Sequence, residues 1–183
     1  MSTVLTPLSN PVGETGAAAA AYVAALLEML GDRDPLVVLA EHPQAIAELT
    51  AGLDDATLRK PEKPGKWSVL EVVQHLADTE LVTGYRLRMI LAHREPEIQA
   101  YDQDLWAREL RYNEASLVDA LEVIRVMRGA NLRLVRAQDA RLDRFGIHAE
   151  RGKESARRLV RMVAGHDLVH QRQIRRIRQA YGV

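Results

Sequence analysis

The chain has 183 residues, 47% hydrophobic and 27% charged, enough for one domain with a sizeable core and an extra segment. Its 25 basic and 25 acidic residues cancel, which removes any long-range attraction of the whole molecule to nucleic acid or to a membrane. With no cysteine there is neither a disulfide framework nor a thiolate ligand, so any metal site must be built from His, Asp, Glu and water.

Aromatic residues are only 4%, and Ala, Leu, Val and Arg dominate, a composition that favours helices over sheets. Residues 1–16, with Pro7, Pro11, Gly13 and Gly16, read as a loosely ordered leader. It lacks a basic n-region, and the apolar run Ala17 to Leu27 is too short to span a bilayer before Glu28 interrupts it. A reducing cytoplasm is the default expectation. Ala17 to Leu30 is a strong helix former, stopped by Gly31 and the Asp34-Pro35 step. A second helical pattern runs from Pro35 to about Leu53, where Pro43 is expected to kink or break the middle. Pro61, Pro64 and Gly65 form a connector.

Ser68-Val-Leu-Glu71 reads as a capping box that opens a helix running to about Ala92, short of Pro96. Residues 93–114 form a long polar connector with Tyr101, Asp102, Asp104 and Trp106, a length often tied to function. Ser116 starts the next helix, with Leu117, Leu121, Ile124, Met127, Leu134 and Val135 at helical spacing. Phe145-Gly146-Ile147-His148 falls in a connector, and a last helix spans about Glu154 to Ala180. No strand pattern survives beyond short ambiguous runs. The expected fold is all-α, an up-and-down four-helix bundle with an additional N-terminal helix. It divides into residues 1–34, the leader and extra helix, and residues 35–183, the bundle.

The last helix carries the chemistry. Leu159, Val163, Ile174 and Ile177 lie on a row stepping by three and four, and the positions that continue it between Val163 and Ile174 are His166 and His170. An i, i+4 pair projects two imidazoles toward one point, here inside the bundle. Buried imidazoles need partners, and a shared divalent cation satisfies both lone pairs at once. His75, mid-helix near Val72, Leu76 and Val82, is the candidate third ligand. Three imidazoles with water completing the shell match a catalytic arrangement better than a closed structural one. His42 and His93 read as surface or helix-end residues.

Several segments together resemble the DinB/YfiT-like superfamily: Lys66-Trp-Ser-Val-Leu-Glu-Val-Val-Gln-His75-Leu-Ala-Asp78, Tyr101-Asp-Gln-Asp-Leu-Trp106, Ile147-His-Ala-Glu-Arg-Gly-Lys153 and Gly165-His-Asp-Leu-Val-His170-Gln-Arg-Gln-Ile174. The likeness covers about residues 35–180. It implies a four-helix bundle, commonly a homodimer, with a three-histidine site for nickel, zinc or a similar ion, and His75, His166 and His170 fall on the three ligand positions. The superfamily includes proteins assigned as metal-dependent hydrolases, bacillithiol S-transferases and mycothiol-dependent maleylpyruvate isomerases. The YfiT-like branch is the most similar, although Val169 and Gln173 stand where its members often carry further histidines.

The reading that follows is a metal-dependent enzyme acting on a small molecule, by hydrolysis or by transfer of an external low-molecular-weight thiol. Its counterpart is a non-catalytic, metal-stabilised stress-response or interaction module. Asp78, one helical turn after His75, can orient a ligand or act as a general base, or be a solvated helix residue. Asp167 is expected to point away from the site. Arg86, almost three turns after His75 on the same face, can bind a carboxylate or phosphate, or make a surface salt bridge. Tyr101, Asp102 and Trp106 can roof the pocket or only anchor their loop. Asn131 reads as a buried hydrogen bond between helices, and His148 as a loop residue with a structural hydrogen bond or a place near the site. The arginines from Arg157 to Arg178 spread too widely around their helix, without an aromatic platform, to suggest nucleic-acid binding.

Overall fold

The four longest helices each begin where a short polar side chain takes an orphan backbone N–H. In the computed structural model, which describes residues 16–183, α1 spans Ala17–Leu30 and α2 spans Pro35–Thr50. Asp34 caps α2 by accepting from the Leu36 N–H at 2.8 Å, with Pro35 at the first helical position. After the short α3 (Asp55–Arg59), Ser68 opens α4 (Val69–Ala92) with the expected capping box. The Glu71 N–H donates to Ser68 Oγ at 3.2 Å, and the Ser68 N–H donates to Glu71 Oε2 at 2.7 Å. Ser116 and Ser155 cap α6 (Leu117–Ala137) and α7 (Ala156–Tyr181) through Oγ alone, which accepts from the Asp119 N–H at 3.3 Å and the Arg158 N–H at 3.1 Å. The leader expected over residues 1–16 lies, apart from Gly16, outside the described residues.

The core bundle consists of α2, α4, α6 and α7. Both α6 and α7 pack against α2 and against α4, so the order around the bundle is α2, α6, α4, α7. The consecutive pairs α2/α4 and α6/α7 therefore face each other across the diagonals. Helix α1 is the additional N-terminal helix and lies along α7. Its approach depends on Gly165, where a Cβ would stand 2.0 Å from the Leu26 carbonyl oxygen.

Three features depart from the sequence reading. Pro43 neither breaks nor ends α2. A proline has no N–H for the carbonyl four residues earlier, here Leu39, and Arg128 Nη1 donates to that oxygen instead at 3.2 Å. The connector 93–114 contains β1 (Glu97–Ile98), α5 (Gln103–Glu109) and a single 3-10 turn over Tyr112–Glu114. Phe145–His148 and Gly152–Ser155 are strands β2 and β3, antiparallel to each other, with β1 parallel to β2. Strands of two to four residues carry too little alternation to be read from sequence.

The bundle is apolar at both ends and polar between them. One core gathers Leu87, Ile90, Leu132, Val135, Leu159 and Val163, and the other Ile46, Leu70, Val73, Ile124, Ile174 and Ile177. Along all four helices the stretch between these cores supplies buried polar residues: His42 from α2, Glu80 from α4, Arg128 and Asn131 from α6, and His166 and Asp167 from α7.

Candidate metal centre

The three predicted histidines meet. His75 comes from α4, and His166 and His170 from successive turns of α7. His166 Nε2 stands 3.1 Å from His75 Nε2 and 3.1 Å from His170 Nε2, and one ligand atom from each ring falls within 4.8 Å of the others. The His75 side chain is 1% exposed and that of His166 8%. Trp67, just before the capping serine, packs on the His75 ring at 5.0 Å between centroids.

These contacts cannot all be hydrogen bonds. A neutral ring nitrogen offers either one N–H or one lone pair, so His166 Nε2 cannot bond both neighbours well. His170 Nδ1 lies 2.8 Å from Gln173 Oε1, an acceptor, which places the His170 proton on Nδ1 and its lone pair on Nε2. Burial is the main cause holding His75 and His166 well below the ordinary histidine range and His170 down to about 4. The rings are therefore neutral at pH 7, the form that ligates metals. Nitrogens bound at about 2.0–2.1 Å to one ion, at angles of about 90–109°, stand roughly 2.8–3.4 Å apart. The observed 3.1 Å separations fall within that span, so the donor set fits a divalent ion.

An open pocket adjoins the cluster, with His166, Arg86, Tyr101, His148, Arg151 and Tyr22 among its walls. Arg86 is 8% exposed and makes no salt bridge among the described residues: its Nη2 donates to the Gln99 carbonyl at 2.6 Å, and the guanidinium lies 5.7 Å from the Tyr101 ring centroid. Trp106 packs on Tyr101 at 4.6 Å, and it is Tyr101 that lines the pocket. Asp102 caps α5 through the Leu105 N–H at 2.8 Å. Asp78 is half-buried and hydrogen-bonded. The Tyr112 hydroxyl donates to its Oδ2, and Gln74 Nε2 approaches its Oδ1 at 3.4 Å.

One sequence expectation, that of His42 as a surface or helix-end residue, is corrected by the polar layer beneath the cluster. His42 is 0% exposed rather than a surface residue, with Nδ1 at 3.2 Å from Gln171 Nε2 and Nε2 at 3.5 Å from Asp167 Oδ1. Asp167 turns away from the three imidazoles but into the bundle, accepting from Arg128 Nη1 at 2.6 Å. Arg128 also donates to Glu80 Oε1 through Nε at 2.7 Å. Burial alone would lower its pKa, but Asp167 and Glu80 outweigh that cost and keep it protonated. Asn131 makes the interhelical bond expected of it, to the Glu80 carbonyl at 3.1 Å. Sequence reasoning missed Arg128 and Glu80 as layer residues. The signal was present, because Leu121, Ile124, Arg128, Asn131 and Val135 form one unbroken core-facing row. His93 stands at the exposed C-terminal end of α4, as expected.

Among the described residues no helix is long and apolar enough to cross a membrane. A family model of the DinB superfamily matches residues 39–174, a span that contains all three histidines. A relative from Bacillus mycoides, named "putative metal-dependent hydrolase", is 25% identical over 174 residues, covering 94% of this chain and 96% of its own. Another of the same name from Oceanobacillus iheyensis is 29% identical over 129 residues, 68% of this chain and 72% of the relative. The solved structure described as "YfiT from Bacillus subtilis is a probable metal-dependent hydrolase with an unusual four-helix bundle topology" superposes with a TM-score of 0.78 at 22% identity, covering 97% of this chain and 99% of that one. By the length and position of the family match, this chain belongs to the DinB superfamily.

Proposed function

We propose that the protein is a metal-dependent enzyme in which His75, His166 and His170 hold one divalent ion, zinc or nickel, for hydrolysis of a small substrate or transfer of a thiol to it. The observation that carries this reading is that the Nε2 atoms of His75 and His170 both stand 3.1 Å from that of neutral His166, a meeting that no proton arrangement satisfies and one cation does. The names carried by its relatives support the same class. A bound ion of this kind lowers the pKa of a coordinated water or thiol and polarises a substrate oxygen. With no cysteine in the chain, a sulfur nucleophile must arrive as an external small thiol.

The protein's own part is orientation and exclusion of water. Gln173 fixes the His170 ring by accepting from Nδ1, and Trp67 packs against the ring of His75. Arg86 and Tyr101 line the pocket beside His166 and receive the substrate, while Trp106 backs Tyr101. Asp78 acts by positioning: its bond from Tyr112 ties the α4 turn after His75 to the loop before α6. The exposed Leu81 and Tyr85, four residues apart on α4, support a homodimer.

The test is metal analysis of protein purified without chelator, beside a His166→Ala, His170→Ala double variant. The wild type is expected to carry close to one ion per chain and the variant almost none; equal content removes the proposal. A panel of small thiols against generic electrophiles, run beside ester and amide substrates, then separates transfer from hydrolysis. Inactivity in both panels would leave a metal-holding module without the proposed chemistry.

A further inference from the structure

His148 closes β2, its backbone held opposite Ile98 on β1 and Gly152 on β3. Its side chain is 1% exposed, yet it lines the pocket that also reaches His166 and Arg86. The Glu150 N–H donates to His148 Nδ1 at 3.1 Å. Burial, with the positive charges of Arg151 and Arg86, pushes the ring down to about 4, so at neutral pH it is uncharged. A neutral ring whose Nδ1 accepts carries its one proton on Nε2. That Nε2–H has no partner among the described residues. Buried donors are nearly always paired in folded proteins, so this one calls for an acceptor that the described chain does not supply.

The neighbouring charges say which kind. Arg151 has its guanidinium fork on Glu154, at 2.8 and 2.9 Å. Arg86, buried in the same wall, gives Nη2 to a neutral carbonyl, and Glu154 and Glu150 offset the burial of its charge only in part. Glu150 also borders the pocket, and with Glu154 it tempers the positive field without reversing the donor character of His148 and Arg86. A cation would be repelled here. A neutral carbonyl would use the His148 proton and leave the guanidinium with only the partial compensation of Glu150 and Glu154. An oxygen bearing negative charge uses both, since it only accepts and pairs most strongly with a charged donor.

We propose that His148 Nε2–H and the Arg86 guanidinium form a recognition subsite for an oxyanion group of the substrate, a carboxylate or a phosphoryl group. The inference rests on the reading that the pocket beside His166 receives the substrate, and it narrows that substrate to an anionic small molecule. His148 is then a binding residue supplied by the small sheet, not a loop residue with only a structural role.

The experiment uses the full-length chain labelled with 15N-histidine, with the His148 ring signals assigned by comparison with His148→Gln. Sodium acetate and inorganic phosphate are titrated separately, against sodium chloride at matched ionic strength, on protein as purified and after chelation. A saturable shift of His148 Nε2 with acetate or phosphate but not chloride is expected, and the anion that saturates identifies the group. Arg86→Gln should weaken the response about tenfold or more, and Arg86→Lys should restore part of it. Shifts that stay linear, or that chloride reproduces, overturn the subsite in wild-type protein regardless of how any variant folds. So does unchanged affinity in Arg86→Gln. Metal content is measured on the same samples: an empty metal centre with an intact anion response defeats the metal reading alone, and the reverse result defeats only the subsite.

Discussion

Arg128 donates to Asp167 at 2.6 Å, and Asp167 is the residue that follows His166 on α7. The buried layer thus takes hold of α7 directly behind the metal candidate. The same guanidinium reaches Glu80 on α4, one and a half turns beyond His75, and the Leu39 carbonyl that Pro43 leaves without a helical donor. One side chain of α6 therefore ties together the three other helices of the bundle, including both that carry the candidate ligands.

Replacing Arg128 by alanine leaves two buried carboxylates uncompensated. Breaking a buried ion pair from one side costs roughly 3–5 kcal/mol, and chemical denaturation of Arg128→Ala should show a loss of that order. A loss below about 1 kcal/mol would mean that water reaches Glu80 and Asp167 and that the layer is not sealed.

Gly165→Ala sets two effects against each other. Helix propensity favours alanine by about 1 kcal/mol in the interior of α7. The added Cβ would meet the Leu26 carbonyl at 2.0 Å, a backbone atom that can move only if α1 moves. Overpacking of this kind costs about 1–3 kcal/mol or more, so net destabilisation is expected, with hydrogen-exchange protection lost first in α1. Unchanged protection across residues 17–30 would show that α1 is not seated on that glycine.

Ser68→Ala removes the cap of α4 and the bond from Ser68 Oγ to Asn113 Oδ1 at 2.8 Å. The loss should be about 1–2 kcal/mol, seen as a lower denaturation midpoint. Metal content should hold, because His75 lies two turns into the helix. Loss of the ion without loss of stability would reverse that assignment.

His42 and His148 are both kept neutral in the fold, principally by burial, His42 well below its ordinary value and His148 down to about 4. The unfolded chain binds their protons near pH 6.5, so it gains protons before the native state does. Their contribution to stability is complete above about pH 6.5 and is lost as pH falls toward 4. For His148 this is on the order of 3 kcal/mol. Denaturation midpoints measured from pH 7.5 to 4 should fall for the wild type, and less steeply for His148→Phe. Parallel curves would exclude a neutral, buried His148.

The helices and the three histidines were legible because local chemistry marks them. Serine caps sit at the starts of α4 and α6, and His166 and His170 occupy positions where the apolar row of α7 demands core residues. The sheet was not legible, since pairing between residues 97–98 and 145–148 is decided by distant backbone and not by alternation. The polar layer was only half visible. Asn131 announced itself on its row, but Arg128 on the same row passed as one more arginine in an arginine-rich chain. His42 passed as a surface residue because the proline beside it suggested a broken helix. The diagonal order of the bundle depends on loop paths, about which helical periodicity says nothing.

The central claim is that imidazoles from α4 and α7 share one ion. X-ray absorption at the edge of whichever metal copurifies tests it most directly. Three imidazole nitrogens at about 2.0–2.1 Å are expected around zinc, falling to two in His75→Ala. A shell of oxygen alone, or a spectrum that His75→Ala leaves unchanged, would contradict the account.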